Sequence, residues 1–475
     1  MDTNSIAFLS AAETARAVRS GELTPQDAVQ AYLDRIDRLD SRLAAYITVT
    51  REEALDAARQ VEQRLSGGGD PGALCGVPVA IKDQFWTDGI LTSNGSRVYR
   101  DFVPDEDATI VRRLKEAGAV LLGKLNLSEL AMGGTQEPPW GIPANPWDLD
   151  RTPGESSSGS GVALSAHLCA ASIGEDTGGS GRGPAAYCGV VGLRPTFTRV
   201  SRHGMTPMCW FMDAAAPMTK TVEDCAIVLG AIAGYDERDP YTSRRPVPDY
   251  IATLRDGVTG MRIGLIRELH QTADMHPEVR AAIERSLDTM RGLGAEVREV
   301  SIPLAALAGA IFVGVADTEG AGARDEILRS RAAELDQASR TRLLSASLVP
   351  FKVYNRAAKA RVLLRRQFMS ALREVDVLVS PTSPYPAPLH TALTARFESA
   401  EDVRARFFFR RAYTGCYSLT ALPALSIPGG FTSDGLPIGL QLGGRPFAEE
   451  TLFRAAYAYE QATDWHTRVA PAAQS

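Results

Sequence analysis

Two stretches rich in glycine and serine restrict the possible folds of this chain more than any other feature. They cover residues 154–161 and 174–184, and they flank an apolar segment at residues 162–171. Sequences rich in glycine and serine often form flexible linkers. Both stretches lie inside an alternation of strand-like and helix-like segments, however. This position favours ordered loops in which the backbone makes tight turns and close approaches.

The rest of the chain alternates short apolar runs with helical patterns. The predicted strands cover residues 77–81, 119–122, 262–266, 297–302, 375–380, 425–430 and 437–442. The predicted helices cover residues 107–117, 162–171, 277–292 and 449–463, and several further helices are predicted within 304–372. This alternation predicts an α/β fold with a large mixed central β-sheet that is covered by helices on both faces.

The domain organisation follows from the chain length and from the absence of an obvious linker. A chain of 475 residues is long enough for two or three domains, but no internal repeat or linker divides it. The N-terminal segment has a helical pattern, in which Thr24 can cap a helix whose first turn contains Pro25. We therefore predict an N-terminal helical arm, residues 1–65, and a single α/β domain, residues 66–475.

The charge balance argues against binding of polyanions through overall charge. The chain has 51 Lys and Arg against 57 Asp and Glu, a net charge of −6, which gives no general attraction to nucleic acid or anionic lipid. We find no run of 18 apolar residues and no secretory leader, so we expect a cytoplasmic protein without a membrane span. Six scattered cysteines and only six histidines predict buried free thiols and no metal site.

Several common catalytic motifs are missing, which narrows the possible chemistry. The sequence has no G-x-S-x-G, no H-E-x-x-H and no G-x-x-x-x-G-K-[ST]. Glycine-rich loops can cradle a phosphate through backbone N–H groups, although the usual spacing is absent here. The alternative is acyl transfer, in which residues 177–180 supply a serine nucleophile and N–H groups for an oxyanion. Lys82 follows a buried strand, and burial lowers the pKa of a lysine enough to make it a base.

An ordered series of motifs resembles the amidase signature family over most of the chain. The motifs lie at residues 76–83 (GVPVAIKD), 141–147 (GIPANPW), 154–160 (GESSSGS), 176–180 (DTGGS), 188–196 (CGVVGLRPT), 422–426 (LPALS) and 435–441 (GLPIGLQ). The resemblance implies the amidase signature fold, a Ser–cis-Ser–Lys triad and an acyl-enzyme, without a cofactor.

The resemblance also assigns roles to individual residues. It implies Ser180 as the nucleophile, Ser156 as the bridging serine on a cis peptide, and Lys82 as the base. The implied oxyanion hole consists of the N–H groups of Thr177, Gly178, Gly179 and Ser180. The implied supporting residues are Ser157, Asp176 and Arg182. A purely structural ion pair is the alternative for the last two.

The chain departs from the family pattern at five positions. Glu155 and Ser158 stand where glycines are common in the serine-rich loop. Gly181 and Gly183 stand where branched apolar residues are usual, and Ala216 stands where glycine often precedes the proline. None of these positions belongs to the implied triad, but the glycines change the floor of the expected pocket.

The sequence gives little information about the identity of the substrate. Candidate pocket residues are Met132, Gly133, Gly134 and Gln136, and Met208 and Trp210 from a Met-rich and aromatic stretch. If the Met-rich and aromatic stretch lines the pocket, it indicates a hydrophobic or aryl amide, and the alternative is that this stretch belongs to the ordinary core.

The expected function is therefore hydrolysis of a small-molecule amide. One alternative is a carbamate or urea-type substrate, and another is the glutamine-hydrolysing A subunit of a tRNA-dependent amidotransferase. A non-catalytic binding protein on the same fold is the third. No nucleic acid, membrane or metal is expected at the site, and a homodimer is the candidate assembly.

Overall fold

The computed structural model describes residues 3–394 and 397–474, and these residues form an eleven-stranded mixed β-sheet surrounded by helices. The strands are β1 (Tyr46–Val49), β2 (Pro78–Lys82), β3 (Val120–Leu125), β4 (Ala171–Glu175), β5 (Val191–Arg194), β6 (Ala215–Thr219), β7 (Arg262–Ile266), β8 (Glu296–Val300), β9 (Val377–Pro381), β10 (Ala424–Phe431) and β11 (Pro437–Gly443). Their order is β1-β3-β2-β4-β6-β5-β10-β11-β9-β7-β8.

The α-helices lie between the strands and at both ends of the described chain. They are α1 (Thr3–Ile6), α2 (Ala11–Ser20), α3 (Pro25–Leu43), α4 (Arg51–Ser66), α5 (Thr109–Glu116), α6 (Ser158–Ser165), α7 (Arg182–Cys188), α8 (Val222–Ile232), α9 (Pro277–Gly292), α10 (Ala308–Gly322), α11 (Asp325–Ser330), α12 (Gln337–Ser347), α13 (Phe351–Glu374), α14 (His390–Thr394), α15 (Ala400–Val403), α16 (Arg410–Thr420) and α17 (Glu449–Gln461).

Both faces of the sheet are packed, as strand β9 demonstrates. Successive side chains of a strand point to opposite faces. Val377 and Val379 belong to one large apolar core, whereas Leu378 between them belongs to a second core. The predicted α/β fold with a large mixed sheet and helices on both faces is confirmed.

The segment at residues 162–171 differs from the prediction of one helix. Helix α6 ends at Ser165, His167 adopts a left-handed conformation with φ of 55°, and β4 begins at Ala171. All of α6 and all of β4 are buried. A segment that is apolar on every side shows no periodicity, so its sequence does not distinguish a helix from a strand.

The N-terminal segment, residues 1–65, contains helices among its described residues, as predicted, and also a strand of the central sheet. Thr24 caps α3 by accepting the N–H of Asp27 at 3.0 Å, and Pro25 is the first residue of the helix. Strand β1 pairs antiparallel with β3. Tyr32 of α3 is buried in the larger core, so this segment packs directly on the rest of the fold.

One helical stretch, residues 303–322, is long and apolar enough by composition to cross a membrane. More than half of it is buried within the protein. Ile311, Phe312 and Val315 lie in the second core, and this interior position accounts for the apolar composition. The six cysteines are buried free thiols, which confirms that prediction.

Candidate active site

The candidate site forms where β2 and β4 end side by side. The two strands are parallel neighbours, so their carboxyl ends meet at the same edge of the sheet, where open α/β sheets usually bind ligands. Strand β2 ends in Lys82 and β4 ends in Glu175. The loop at residues 176–181 continues from β4, and the serine-rich loop precedes α6 at the same edge.

Lys82 is completely buried and contacts the serine-rich loop and the end of β4. Its Nζ donates to the Ser156 hydroxyl at 2.8 Å and to Glu175 Oε2 at 3.1 Å. Burial lowers the pKa of Lys82, and the negative charge of Glu175 opposes this shift only in part. The result is a lysine with a depressed pKa, in hydrogen-bond contact with a serine hydroxyl.

Glu175 and Asp213 share a single hydroxyl group. The Thr177 hydroxyl contacts Glu175 Oε1, and it lies 2.5 Å from Asp213 Oδ1. One hydroxyl carries one proton, so only one of these contacts can be a donation from Thr177. Burial, followed by the charge of Glu175, raises the pKa of Asp213 to about 7. A protonated Asp213 that donates to Thr177, which in turn donates to Glu175, satisfies both contacts.

No sequence motif assigned a role to Glu175 or Asp213. Glu175 was visible as the last residue before the DTGGS motif. Its position beside Lys82 follows from the parallel pairing of β2 with β4, which the sequence does not reveal. Asp213 lies well beyond that motif in the chain and belongs to no motif itself.

Ser157 fixes the serine-rich loop to the edge of the sheet where β2 and β4 end. The Glu155–Ser156 peptide is cis, as the family resemblance implied. The N–H of Ser157 donates to the carbonyl of Ser180 at 3.2 Å. The Ser157 hydroxyl donates to the Glu175 carbonyl and accepts the Glu175 N–H, both at 3.1 Å. Ser157 therefore joins the loops that carry Ser156 and Ser180.

Ser180 lies on the wall of a cavity, where it is half-buried. Ser156 lines the same cavity but is almost fully buried. No hydrogen bond joins the two hydroxyl groups in the described part of the chain, and catalytic hydrogen bonds are often loose in the absence of substrate. The more accessible serine is the one implied as nucleophile.

The backbone before Ser180 requires glycine and exposes several N–H groups. Gly179 has φ of +112°, and a Cβ there would lie 2.2 Å from Thr414 Oγ1. The Gly179 N–H donates to Asp176 Oδ1 at 2.9 Å. Within residues 3–394 and 397–474, the N–H groups of Thr177, Gly178 and Ser180 have no protein acceptor, so they are available to a ligand.

Asp176 holds this loop through its hydrogen bonds and ion pairs. It pairs with Arg182 at 2.9 Å and with Arg194 at 3.3 Å, and all three side chains are fully buried. Burial raises the pKa of Asp176, but the two guanidinium charges outweigh it and hold that pKa well below its usual range. Arg182 also donates to Gln441 on β11 at 2.7 Å, so this ion-pair cluster is connected to another strand of the sheet.

The residues predicted to line the substrate pocket are distributed over three places. Met132, Gly133 and Met208 line the cavity that contains Ser180. Gly134 and Gln136 line a neighbouring cavity that shares Glu155 with the first. Trp210 is 54% exposed and packs against Arg202 and Tyr241.

Three arginines on the cavity wall were not anticipated from the sequence. They are Arg342, Arg410 and Arg411. Arg342 belongs to α12, and the other two are the first residues of α16. These helices carry no motif, so only the fold shows that their side chains line the cavity.

Comparison with known proteins shows similarity over most of the chain. The sequence model of the family described as Amidase matches residues 27–453. The A subunit of a glutamyl-tRNA(Gln) amidotransferase from Geobacter sp. (strain M21) is 40% identical over 481 residues, which cover 96% of this chain and 97% of that protein.

Two solved structures have closely similar folds. One, described as a vestigial protein complex that reveals the evolutionary origins of an s-triazine catabolic enzyme, has a TM-score of 0.88 at 31% identity. That match covers 97% of this chain and 99% of the other. A peptide amidase from Stenotrophomonas maltophilia has a TM-score of 0.83 at 33% identity and covers 96% of both chains.

Proposed function

Because the chain belongs to the amidase signature family, we propose that it hydrolyses C–N bonds of small amides with Ser180 as the nucleophile. The observation that carries this proposal is the 2.8 Å contact between Lys82 Nζ and Ser156 Oγ, beside a cavity that Ser180 also lines. A buried lysine with a lowered pKa can accept a proton at neutral pH, which a serine nucleophile requires.

The proton moves along the three side chains while the acyl group is transferred. Ser180 Oγ forms a bond to the amide carbon and passes its proton to Ser156, whose own proton passes to Lys82. Collapse of the tetrahedral intermediate breaks the C–N bond, and the proton returns through Ser156 to the leaving nitrogen. Water then attacks the ester on Ser180 by the same route and releases the acid.

The oxyanion is stabilised by backbone N–H groups of the loop that carries Ser180. Those of Thr177, Gly178 and Ser180 have no acceptor among the described residues, which suits a preorganised oxyanion hole. The Gly179 N–H instead donates to Asp176. We therefore assign Gly179 a structural role in the loop. The proposed oxyanion hole then has three N–H donors, those of Thr177, Gly178 and Ser180, rather than the four that the family resemblance implies.

Covalent trapping tests this proposal. A sulfonyl fluoride should modify Ser180 in the wild-type protein, as detected by intact mass and peptide mapping. The Ser180→Ala variant should not be labelled, and it should release neither an aromatic amine from anilides nor ammonia from primary amides, carbamates and ureas. Ser41→Ala, at an exposed position on α3, is the matched control. Turnover that survives in Ser180→Ala would disprove the assignment.

The curated relatives favour a second candidate within the same chemistry. Relatives named as the A subunit of glutamyl-tRNA(Gln) amidotransferase align with nearly the full length of this chain, at 40% and 41% identity. This likeness supports a glutamine-hydrolysing subunit that delivers ammonia to a partner more directly than it supports a stand-alone amidase.

The two candidates differ in their dependence on a partner. An amidotransferase subunit should hydrolyse glutamine faster when the other subunits and the charged tRNA are added. A stand-alone amidase should show full activity alone and no stimulation. Ammonia release with and without those components separates the two.

A further inference from the structure

Two adjacent arginines lie on the wall of the catalytic cavity. Arg410 and Arg411 begin α16, directly after a six-residue π-helical segment, Arg404–Phe409. Both line the cavity that contains Ser156 and Ser180. A π-helical turn rotates the residues that follow it relative to a regular helix, and such segments are frequent at functional sites.

Arg411 is a half-buried cation with few partners. It donates to the carbonyl of Phe407 at 2.8 Å, and its guanidinium lies 3.8 Å from the centre of the Phe407 ring. Across residues 3–394 and 397–474, no carboxylate oxygen lies within 4.0 Å of Arg410 or Arg411. Burial, followed by the charges of Arg342 and Arg410, lowers the pKa of Arg411 to about 9.

The charges of Asp317 and Glu155 act on Arg411, but neither carboxylate pairs with it. Asp317 pairs with Arg342 through a contact of 2.9 Å from Nε to Oδ2. Glu155 accepts the N–H of Gly134 at 2.8 Å. Partial removal of a guanidinium from water costs free energy, and the charge of a bound anion offsets part of that cost. Arg410 and Arg411 therefore point to a negatively charged group that is present only when the cavity is occupied.

We propose that Arg410 and Arg411 bind a carboxylate of the substrate, so that this enzyme selects amides that also carry an acidic group. The proposal rests on the amide hydrolysis proposed above and deepens it. An arginine binds a carboxylate through two parallel hydrogen bonds, which positions the substrate in the cavity. Met132, Met208 and Phe312 on the same wall contact the carbon chain between the acid and the amide.

Matched substrates test the selectivity directly. The monoamides of malonate, succinate, glutarate and adipate are compared with the uncharged alkyl amides of equal length. Because a hydrogen bond to a charged group contributes more than a neutral one, kcat/KM for the best acidic amide should exceed that for its neutral counterpart by roughly 10- to 100-fold. Equal values across all four pairs would overturn the proposal.

Variants locate the subsite. Arg411→Met and Arg410→Met should each lower kcat/KM for the best acidic amide by roughly 10-fold or more, and Arg411→Lys should retain part of the activity because it keeps the charge. Arg291→Met on α9 is the control, since Arg291 is half exposed and pairs with Asp288 away from the cavity. A loss in the control equal to that in Arg411→Met would contradict the assignment.

A binding measurement distinguishes failure of this proposal from failure of the proposed function. Glutarate is titrated into the wild-type protein by calorimetry, and binding should weaken in Arg411→Met and at high salt. Amide turnover without acid preference, together with no glutarate binding, overturns the subsite and leaves the hydrolase intact. Glutarate binding that depends on Arg411, without turnover of any amide, supports the subsite and contradicts the hydrolase.

Discussion

At the scale of single residues, Glu175 exerts a defined electrostatic effect on Lys82. Its carboxylate lies 3.1 Å from the lysine and favours the protonated form. In the Glu175→Gln variant this charge is lost while a hydrogen-bond acceptor remains, so the pKa of Lys82 should fall further. Because the reaction needs a neutral lysine, the acidic limb of the kcat/KM profile should then shift to lower pH.

The pH profile of kcat/KM, measured from mildly acidic to mildly basic buffer, reports this effect. Glu296→Gln, at an exposed position on β8, should leave the profile unchanged. Asp213 also titrates near neutral pH, and the double variant Glu175→Gln/Asp213→Asn removes its contribution. A shift of the acidic limb to higher pH in both variants would show that Lys82 is not the group that must lose a proton.

At the scale of secondary-structure elements, two positions that depart from the family pattern lie close together. They are Gly181, directly before α7, and Ala216 in β6. Gly181 precedes α7 with a right-handed backbone, φ −91°, that any residue adopts. A Cβ at this position, however, would lie 2.7 Å from the Cβ of Ala216. The small residue on the loop and the larger one on the strand thus compensate each other.

This contact predicts a double-mutant rescue. Gly181→Ala should reduce the free energy of unfolding by about 1–3 kcal/mol, because an added methyl group overpacks a rigid contact. Gly181→Ala/Ala216→Gly should recover most of the loss, since the two methyl groups no longer overlap. Urea denaturation of the wild type, both single variants and the double variant checks this. Additive effects of the two substitutions would contradict the contact.

The predictability of each element depended on the signal that its sequence carries. β7 and α9 have the predicted bounds, because β7 is a short apolar run and α9 begins at a proline and has apolar residues at helical spacing. The prediction for residues 162–171 was wrong because uniform burial removes the periodicity. Lys82, Ser156 and Ser180 could be nominated from motifs. Glu175 and Arg411 could not be, since their positions depend on which strands and helices become neighbours.

At the scale of the whole molecule, the two glycine-rich loops meet because distant strands are adjacent in the sheet. β2 and β4 pair directly, although the intervening chain includes β3 and α6. Helix α16 follows β9, in the last quarter of the chain, yet Thr414 from this helix donates to the carbonyl of Gly178 at 2.7 Å. The cavity is therefore completed only when both halves of the chain have folded together.

The N-terminal segment is hydrogen-bonded to distant parts of the chain. Arg35 of α3 donates to the carbonyl groups of His167, Ala166 and Ala473, at 3.1, 2.9 and 2.9 Å. The Tyr46 hydroxyl donates to the Leu168 carbonyl at 2.9 Å. These contacts connect the segment predicted as a helical arm to the chain around α6 and to the C-terminal region.

Removal of residues 1–66 should therefore prevent cooperative folding rather than release an independent arm. The truncation uncovers β3 as an edge strand and exposes the apolar surface that α3 covers, and both promote aggregation. Size-exclusion chromatography and thermal unfolding of residues 67–475 against the full chain measure this. A monodisperse truncated protein with an unchanged melting temperature would instead establish residues 1–65 as a separate arm.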